Sequence, residues 1–450
     1  MKIVLIGAGS AQFGYGTLGE IFSSKVMSDS EVALLDINPS SLKTVAETAR
    51  RFVESHGLST RISATTDRRE ALRGADFVII SIEVGDRFEL WDQDRTVPQQ
   101  YGVRQVYGEN GGPGGLFHSL RIIPPILDIC RDVQELCPEA HVFNYSNPMS
   151  RICTAVHRVY PDLRFVGLCH EVSSLQRYLP NMLGTSWETL RTRAGGLNHY
   201  SCLLQAEYSN GSDAYPDIRK KAPDFFRRLP GASDFLVKYR ESGSLVETEG
   251  VTEIDPTLAV SAREWVERRL FVFVLENFGL LPITTDSHFG EYAAWAYDVV
   301  DHRGILDFYN YYRICMAKVE PQIELGTKER VVPIMEAVVT DQVLDEAAVN
   351  LPNRGLIEGL PSELAVEVPA RIDGQGVSGV ALGKLPPAFL GLLQNQIGIH
   401  MMTAEAVVTR SKAAAAQALL VDPVMTKASA AREIVETIIG LQTPYLSYLE

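Results

Sequence analysis

The first third of the chain alternates short apolar runs with longer stretches of helical periodicity. Lys2–Ile6, Glu31–Leu35, Asp76–Ile82 and His141–Tyr145 are apolar or β-branched almost throughout, as strands buried on both faces are. Leu42–Ser55 and Leu116–Leu136 lie between them and read as helices. Strands of that kind separated by helices predict a doubly wound parallel sheet. Arg164–Leu168 predicts one more strand, followed by a helix from Ser173 to Leu179 that Pro180 should end or kink. Beyond it, Thr192–Tyr208 has strand character and residues 210–260 are mixed and polar. Ser261–Asn277 predicts a helix stopped by Gly279. Leu390, Leu393, Ile397, Met401, Ala404 and Val408 recur at spacings of three and four, which predicts one long helix with an apolar face.

Composition narrows the function classes. Of 450 residues, 46% are hydrophobic and 22% charged, ordinary for a globular protein with a sizeable core. The formal charge of −14 argues against a nucleic-acid surface, which needs clustered Lys and Arg. The short basic stretches Arg219–Lys221 and Arg227–Arg228 read as solvated faces. No uninterrupted apolar stretch is long enough for a membrane span, and Met1 leads straight into a strand-like run without a secretory n-region. The six cysteines are irregularly spaced and make no disulfide framework. The expectation is a reduced, cytoplasmic protein with no nucleic-acid or membrane partner.

Gly7 and Gly9 follow the first strand directly, and Ser10 follows them. Glycines there allow a tight turn and let backbone amides approach a pyrophosphate at a helix N-terminus. Gln12 occupies the third position of G-x-G-x-x-G, so the fingerprint is incomplete. Asp36, at the end of the second strand, strengthens it. A carboxylate there accepts both ribose hydroxyls and repels a 2′-phosphate, which favours NAD over NADP. The alternative is a plain glycine turn with Asp36 as a helix cap. The dinucleotide reading makes residues 1–170 a Rossmann-like NAD-binding domain. Residues 171–450 then form a mixed α+β substrate- and metal-binding domain with C-terminal helices.

Four later segments are rich in groups that carry chemistry: Asn144-Tyr-Ser-Asn-Pro-Met149, Gly167-Leu-Cys-His-Glu171, Gly195-Gly-Leu-Asn-His199 and Asp286-Ser-His-Phe-Gly-Glu-Tyr292. With the glycine turn and Gly111-Gly-Pro-Gly-Gly115 followed by Ser119-Leu-Arg-Ile-Ile-Pro124, the chain resembles glycoside hydrolase family 4 over nearly its whole length. It looks most like the α-galactosidase and α-galacturonidase branch.

That resemblance implies a lactate/malate dehydrogenase-like arrangement and an NAD- and Mn²⁺-dependent glycosidase acting on a terminal α-galactoside, α-galacturonide or α-glucuronide. Cys169 and His199 would be the protein ligands of the divalent metal. Asn147 would meet a substrate hydroxyl near it, and His170 and His288 would support or contact the substrate. Asp286 would remove the C2 proton once NAD⁺ has oxidised C3, elimination and water addition would follow, and NADH would return the hydride. Glu109 stands where the family pattern has Asp before Gly-Pro-Gly-Gly, which implies an acid for the leaving group with one more methylene of reach.

On residue grounds alone, Cys169 at a strand end reads as core, and His288 and Glu291 read as supports of the loop that presents Asp286. Two rivals remain open: an NAD-dependent hydroxy-acid dehydrogenase and a non-enzymatic dinucleotide-binding protein. A uronate substrate would call for an Arg near C6, with Arg87, Arg95, Arg104 and Arg121 as candidates. The long C-terminal apolar helix is the expected interface of a homo-oligomer.

Overall fold

Burial on both faces is what makes the early apolar runs strands. Alternate residues of Lys2–Ile6 enter different cores: Ile3 and Leu5 pack into one cluster, Val4 and Ile6 into another. The computed structural model describes residues 1–10, 13–169, 171–245, 266, 268–318, 321–326 and 329–450.

Among these residues twelve strands form a single sheet. They are β1 (Lys2–Ile6), β2 (Glu31–Leu35), β3 (Arg61–Thr65), β4 (Phe77–Ile80), β5 (His141–Asn144), β6 (Arg164–Gly167), β7 (Leu190–Leu197), β8 (Tyr200–Tyr208), β9 (Leu281–Pro282), β10 (Leu344–Pro352), β11 (Ala365–Asp373) and β12 (Gly376–Gly379). The order is β3-β2-β1-β4-β5-β6-β10-β11-β7-β8-β9, with β12 beside β11. The first six strands are parallel, in the 3-2-1-4-5-6 order of a Rossmann-like sheet. The rest are antiparallel. The fold is therefore mixed α/β with a doubly wound parallel half, and the sheet continues from that half into the second.

Helices fall where the periodicity places them, with informative differences. Pro39–Ser55 begins at Asn38, whose side chain accepts the amides of Ser40 and Ser41. Gly112–Leu136 starts four residues before the apolar periodicity does, inside the glycine stretch, with Pro113 in its first turn; proline is well placed there because its missing N–H would be unpaired anyway. Pro180 does not end its helix, which runs Ser174–Leu183 and stops at Gly184 in the left-handed conformation. Proline costs one amide bond, and the buried face of Leu175, Tyr178, Leu179 and Met182 holds the helix past it.

Thr192–Tyr208 is a hairpin, not one strand: β7 and β8 turn at Asn198 and His199. The C-terminal periodicity is likewise broken into Pro387–Gln394 and Ile397–Val408. Gln396 interrupts it, buried and donating from Nε2 to the Tyr292 carbonyl at 3.1 Å. Leu393 and Ala404 of that face are fully buried, Leu390, Ile397 and Met401 are partly buried, and Val408 is exposed. Of the helix expected from Ser261, residues 261–265 and 267 lie outside the described residues, and Arg269–Phe278 is helical up to Gly279. No described helix is long and apolar enough to cross a membrane, and all six cysteines are free.

Candidate active site

The glycine turn after β1 is built for close approach. Gly7 has φ +84°, and a Cβ there would lie 2.0 Å from the Ser81 carbonyl oxygen. The third glycine of the fingerprint is present but displaced. A Cβ on Gly14 would sit 2.2 Å from the Ala8 oxygen, so Gly14 lets the first helix pack against the turn, the role that spacing alone assigned to position 12. Gln12 lies outside the described residues. Ser10 begins that helix, its Oγ accepting the Phe13 amide at 3.4 Å. Asp36 stands at the end of β2 and accepts the amides of Gly9 and Asn38, each at 2.8 Å. It thus braces the turn as well as offering a half-exposed carboxylate beside it. These clearances form the cradle a pyrophosphate needs.

The second group of residues comes from both halves of the sheet. Cys169 follows β6 by two residues, and His199 occupies the β7–β8 turn. Cys169 Sγ and His199 Nε2 are 3.4 Å apart. Two such ligands bound to one first-row metal at about 2.0–2.3 Å would stand roughly 3.1–3.6 Å from each other, so the pair fits a shared divalent ion. His199 holds φ +135°, a strained value for any residue with a Cβ. Its neighbour Asn198 is fixed at both ends of its backbone. The amide donates to Ser150 Oγ at 2.9 Å, and the carbonyl accepts Tyr292 Oη at 3.2 Å. Burial pushes the Cys169 thiol well above its ordinary range, with Glu171 and Glu367 adding to it; a thiolate there needs a cation beside it.

His288 stacks on His199 with ring centroids 4.6 Å apart. Glu171, His199 and His288 each offer a ligand atom within 4.8 Å of the others. Glu109 Oε2 lies 3.3 Å from His288 Nε2, and Glu109 Oε1 is paired with Arg87. Burial alone would raise the Glu109 carboxyl; Arg87 and His288 outweigh it and hold it well below the usual carboxylate range. Burial would lower His288, but the Glu109 carboxylate overcomes it and raises the imidazole to about 9. In this geometry Glu109 is an anion clamped by two cations, and the proton sits on His288.

Glu291 anchors the turn that carries Glu109. Its carboxylate accepts the amides of Glu109 at 2.6 Å and of Asn110 and Gly111 at 2.9 Å. It holds this turn, not the loop of its own segment. Asp286 is 1% exposed; its oxygens accept the amides of Leu270 at 2.9 Å and Phe271 at 3.3 Å, at the start of helix Arg269–Phe278. Asn147 follows β5, with its Oδ1 on the Met149 amide at 3.3 Å. His170 lies outside the described residues. The structure therefore brings together Cys169, His199, His288 and Glu109. It adds Arg87, which the sequence offers only as a uronate partner, Glu291, expected to support the Asp286 loop, and Glu171, which lies in the Cys169 segment without an assigned role. The links of Arg87 and Glu291 to Glu109 span 22 and 182 residues and leave no local signal.

Comparison with known proteins agrees over the whole chain. Residues 2–185 match the family model described as family 4 glycosyl hydrolase, and residues 194–425 match its C-terminal domain. An α-glucosidase of Erwinia rhapontici is 60% identical, covering 100% of this chain and 99% of that one. An α-galactosidase of Bacillus subtilis (strain 168) is 30% identical over 94% of this chain and 93% of its own length. A 6-phospho-α-glucosidase from gut microorganisms, solved with NAD and Mn²⁺, shares the fold with a TM-score of 0.76 at 21% identity, covering 98% of each chain. The chain belongs to glycosyl hydrolase family 4 and is a glycoside-hydrolysing enzyme.

Proposed function

We propose that this enzyme cleaves unphosphorylated, uncharged α-glucosides, using NAD⁺ at the Gly7–Asp36 turn and a divalent metal, Mn²⁺ in a solved relative, at Cys169 and His199. The observation that carries the choice of sugar is a charge balance. One pocket is lined by Arg87, Arg121 and His118 together with Glu83, Asp94 and Glu109, and it adjoins the metal pair through Glu109 and His288. Arg87 is engaged by Glu109. Arg121 donates to both oxygens of Asp94, at 2.9 and 2.6 Å, and His118 Nε2 lies 3.3 Å from Glu83. An anionic sugar substituent reaching Arg87 would have to displace the Glu109 carboxylate, at a desolvation cost a neutral hydroxymethyl avoids. Arg95 lies over the Trp91 ring, and exposed Arg104 is 3.7 Å from Asp298. The 60% identical relative is an α-glucosidase, which supports the same reading over the galactoside and uronide expected from sequence.

When bound, NAD⁺ and the divalent ion supply reversible hydride acceptance at C3 and polarisation of the neighbouring oxygens. Cys169 and His199 would hold the ion, and Asn147, after β5, would meet a substrate hydroxyl beside it. Glu109, 3.3 Å from His288 Nε2, orients the imidazole that stacks on His199. Asp286, buried at the start of helix Arg269–Phe278, serves as the C2 base. One observation favours a second assignment for that base: Glu171 is the carboxylate within ligand distance of His199 and His288.

The test is a panel of α-glucosides, α-galactosides, α-galacturonides and α-glucoside 6-phosphates, assayed with NAD⁺, Mn²⁺ and a thiol reductant. Turnover of the α-glucosides without accumulation of NADH is expected. Faster turnover of the uronide or the phosphate would overturn the charge argument, and stoichiometric NADH would indicate a dehydrogenase.

A further inference from the structure

The two proposed metal ligands sit on strands that do not touch. β6 leads to Cys169 and β7 to His199, and β10 and β11 lie between them. The seam is crossed by a single row of partners: Gly167 on β6 opposite Asn350 on β10, Asn350 opposite Glu367 on β11, and Glu367 opposite Gly196 on β7.

Side chains follow the same row. Glu367, 1% exposed, accepts Asn198 Nδ2 at 2.8 Å and Asn350 Nδ2 at 3.5 Å through Oε2. Asn350 Nδ2 also reaches the Gly167 carbonyl at 3.5 Å. Asn198 immediately precedes His199, and Gly167 ends β6 two residues before Cys169. Glu367 therefore reaches the His199 turn through Asn198 and the strand end before Cys169 through Asn350. Its hydrogen-bonding partners, Asn198 and Asn350, are both neutral. A buried carboxylate among neutral amides lacks a counter-charge, a costly arrangement unless a cation completes it. A glutamine would make the same hydrogen bond to Asn198 without that cost, so the sheet alone does not explain the choice of glutamate.

We propose that Glu367 is a positioning residue for the metal: it fixes Asn198 beside His199 and Asn350 beside the strand end that leads to Cys169, and its negative charge is complemented by the bound divalent ion. This rests on the reading of Cys169 and His199 as metal ligands. Groups that orient metal ligands from behind change affinity without touching the metal.

The experiment titrates Mn²⁺ alone into the full-length protein by calorimetry, and Co²⁺ as an absorbance probe of the thiolate–metal band. It compares wild type with Glu367→Ala, Glu367→Gln and Cys169→Ser, with NAD⁺ affinity and circular dichroism measured alongside. Glu367→Ala is expected to weaken Mn²⁺ by about 10–100-fold and to diminish the Co²⁺ band, with NAD⁺ affinity unchanged. Glu367→Gln, which keeps an acceptor for Asn198 but loses the charge, is expected to weaken it by about tenfold. Wild-type Mn²⁺ affinity in both Glu367 variants, with Cys169→Ser impaired, overturns the role of Glu367 and leaves the ligand pair standing. Wild-type Mn²⁺ affinity in Cys169→Ser overturns the ligand pair, and the inference with it. If Glu367→Ala fails to fold, Glu367→Gln decides: weakened binding supports the role and wild-type binding overturns it.

Discussion

Replacing Asp286 by asparagine separates the two tasks this carboxylate is given, capping a helix and accepting a proton. The side chains are the same size, so no cavity opens. One oxygen remains to accept an amide from Leu270 or Phe271, but the new Nδ2 turns a donor toward the other. The change loses a hydrogen bond to a charged acceptor and leaves a buried N–H unpaired, about 2–4 kcal/mol in all. For a cooperative unit of a couple of hundred residues that corresponds to a fall of roughly 4–16 °C in the melting midpoint. Loss of a positioned general base costs about 10²–10⁴ in rate. Circular dichroism melts and exchange of the C2 hydrogen with solvent, measured well below the lowered midpoint, read the two effects apart. An unchanged midpoint would refute the capping geometry. Wild-type exchange in the destabilised variant would refute Asp286 as the base, and Glu171→Gln would then be expected to show the loss.

Other outcomes follow from the same structure. Asp36→Ala should weaken NAD⁺ by about 1.5–3 kcal/mol, because the turn loses its brace as the ribose loses an acceptor; calorimetric titration with unchanged affinity would remove Asp36 from the site. Cys169→Ser should lose Mn²⁺-dependent turnover, while wild type should lose activity in aerated buffer and regain it with reductant and Mn²⁺, since the metal-bound thiolate is also the oxidisable group; normal Mn²⁺-dependent activity in Cys169→Ser would remove Cys169 from the site. Burial lowers three histidines, His400 to about 3 and His157 and His141 to about 4. Each binds its proton more readily in the unfolded chain, so stability should fall as pH drops from about 6.5 toward 3–4, with up to three protons taken up on unfolding. His400→Phe should reduce that slope by one proton in denaturant titrations across the range, and an unchanged slope would contradict the assignment.

How much of this was legible in the sequence depended on whether the signal was local. β1, β2 and β5 could be read because both faces are buried and the runs are apolar apart from a terminal residue or two. β3, Arg61-Ile-Ser-Ala-Thr65, lies at the sheet edge with no residue fully buried, so its pattern carries no such mark. Gly14 carries no mark in the sequence, because G-x-G-x-x-G puts the third glycine at position 12; the packing that demands glycine acts through the Ala8 carbonyl, which no spacing rule sees. The β7–β8 turn was read through as strand because Asn198 and His199 are not turn-forming glycines, and the strained φ of His199 is imposed by Ser150 and Tyr292 from elsewhere in the chain. Cys169, His199 and Glu109 were recognisable by their short motifs. The ion pair of Glu109 with Arg87, the grip of Glu291 on the Glu109 turn and the row from Gly167 through Glu367 to Gly196 exist only once the sheet is assembled. Glu367 itself reads as one polar residue in the mostly apolar strand Ala365–Asp373.

The central claim is that bond cleavage follows oxidation at C3 and loss of the C2 proton, with NAD⁺ regenerated in each cycle. The direct measurement is hydrolysis of an α-glucoside deuterated at C2, in ordinary water with NAD⁺, Mn²⁺ and reductant, followed by mass analysis of the released sugar. The account predicts that the sugar has lost its C2 deuterium to solvent, with no net NADH formed. Sugar released with its C2 deuterium intact would contradict it and return the chemistry to direct hydrolysis by paired carboxylates.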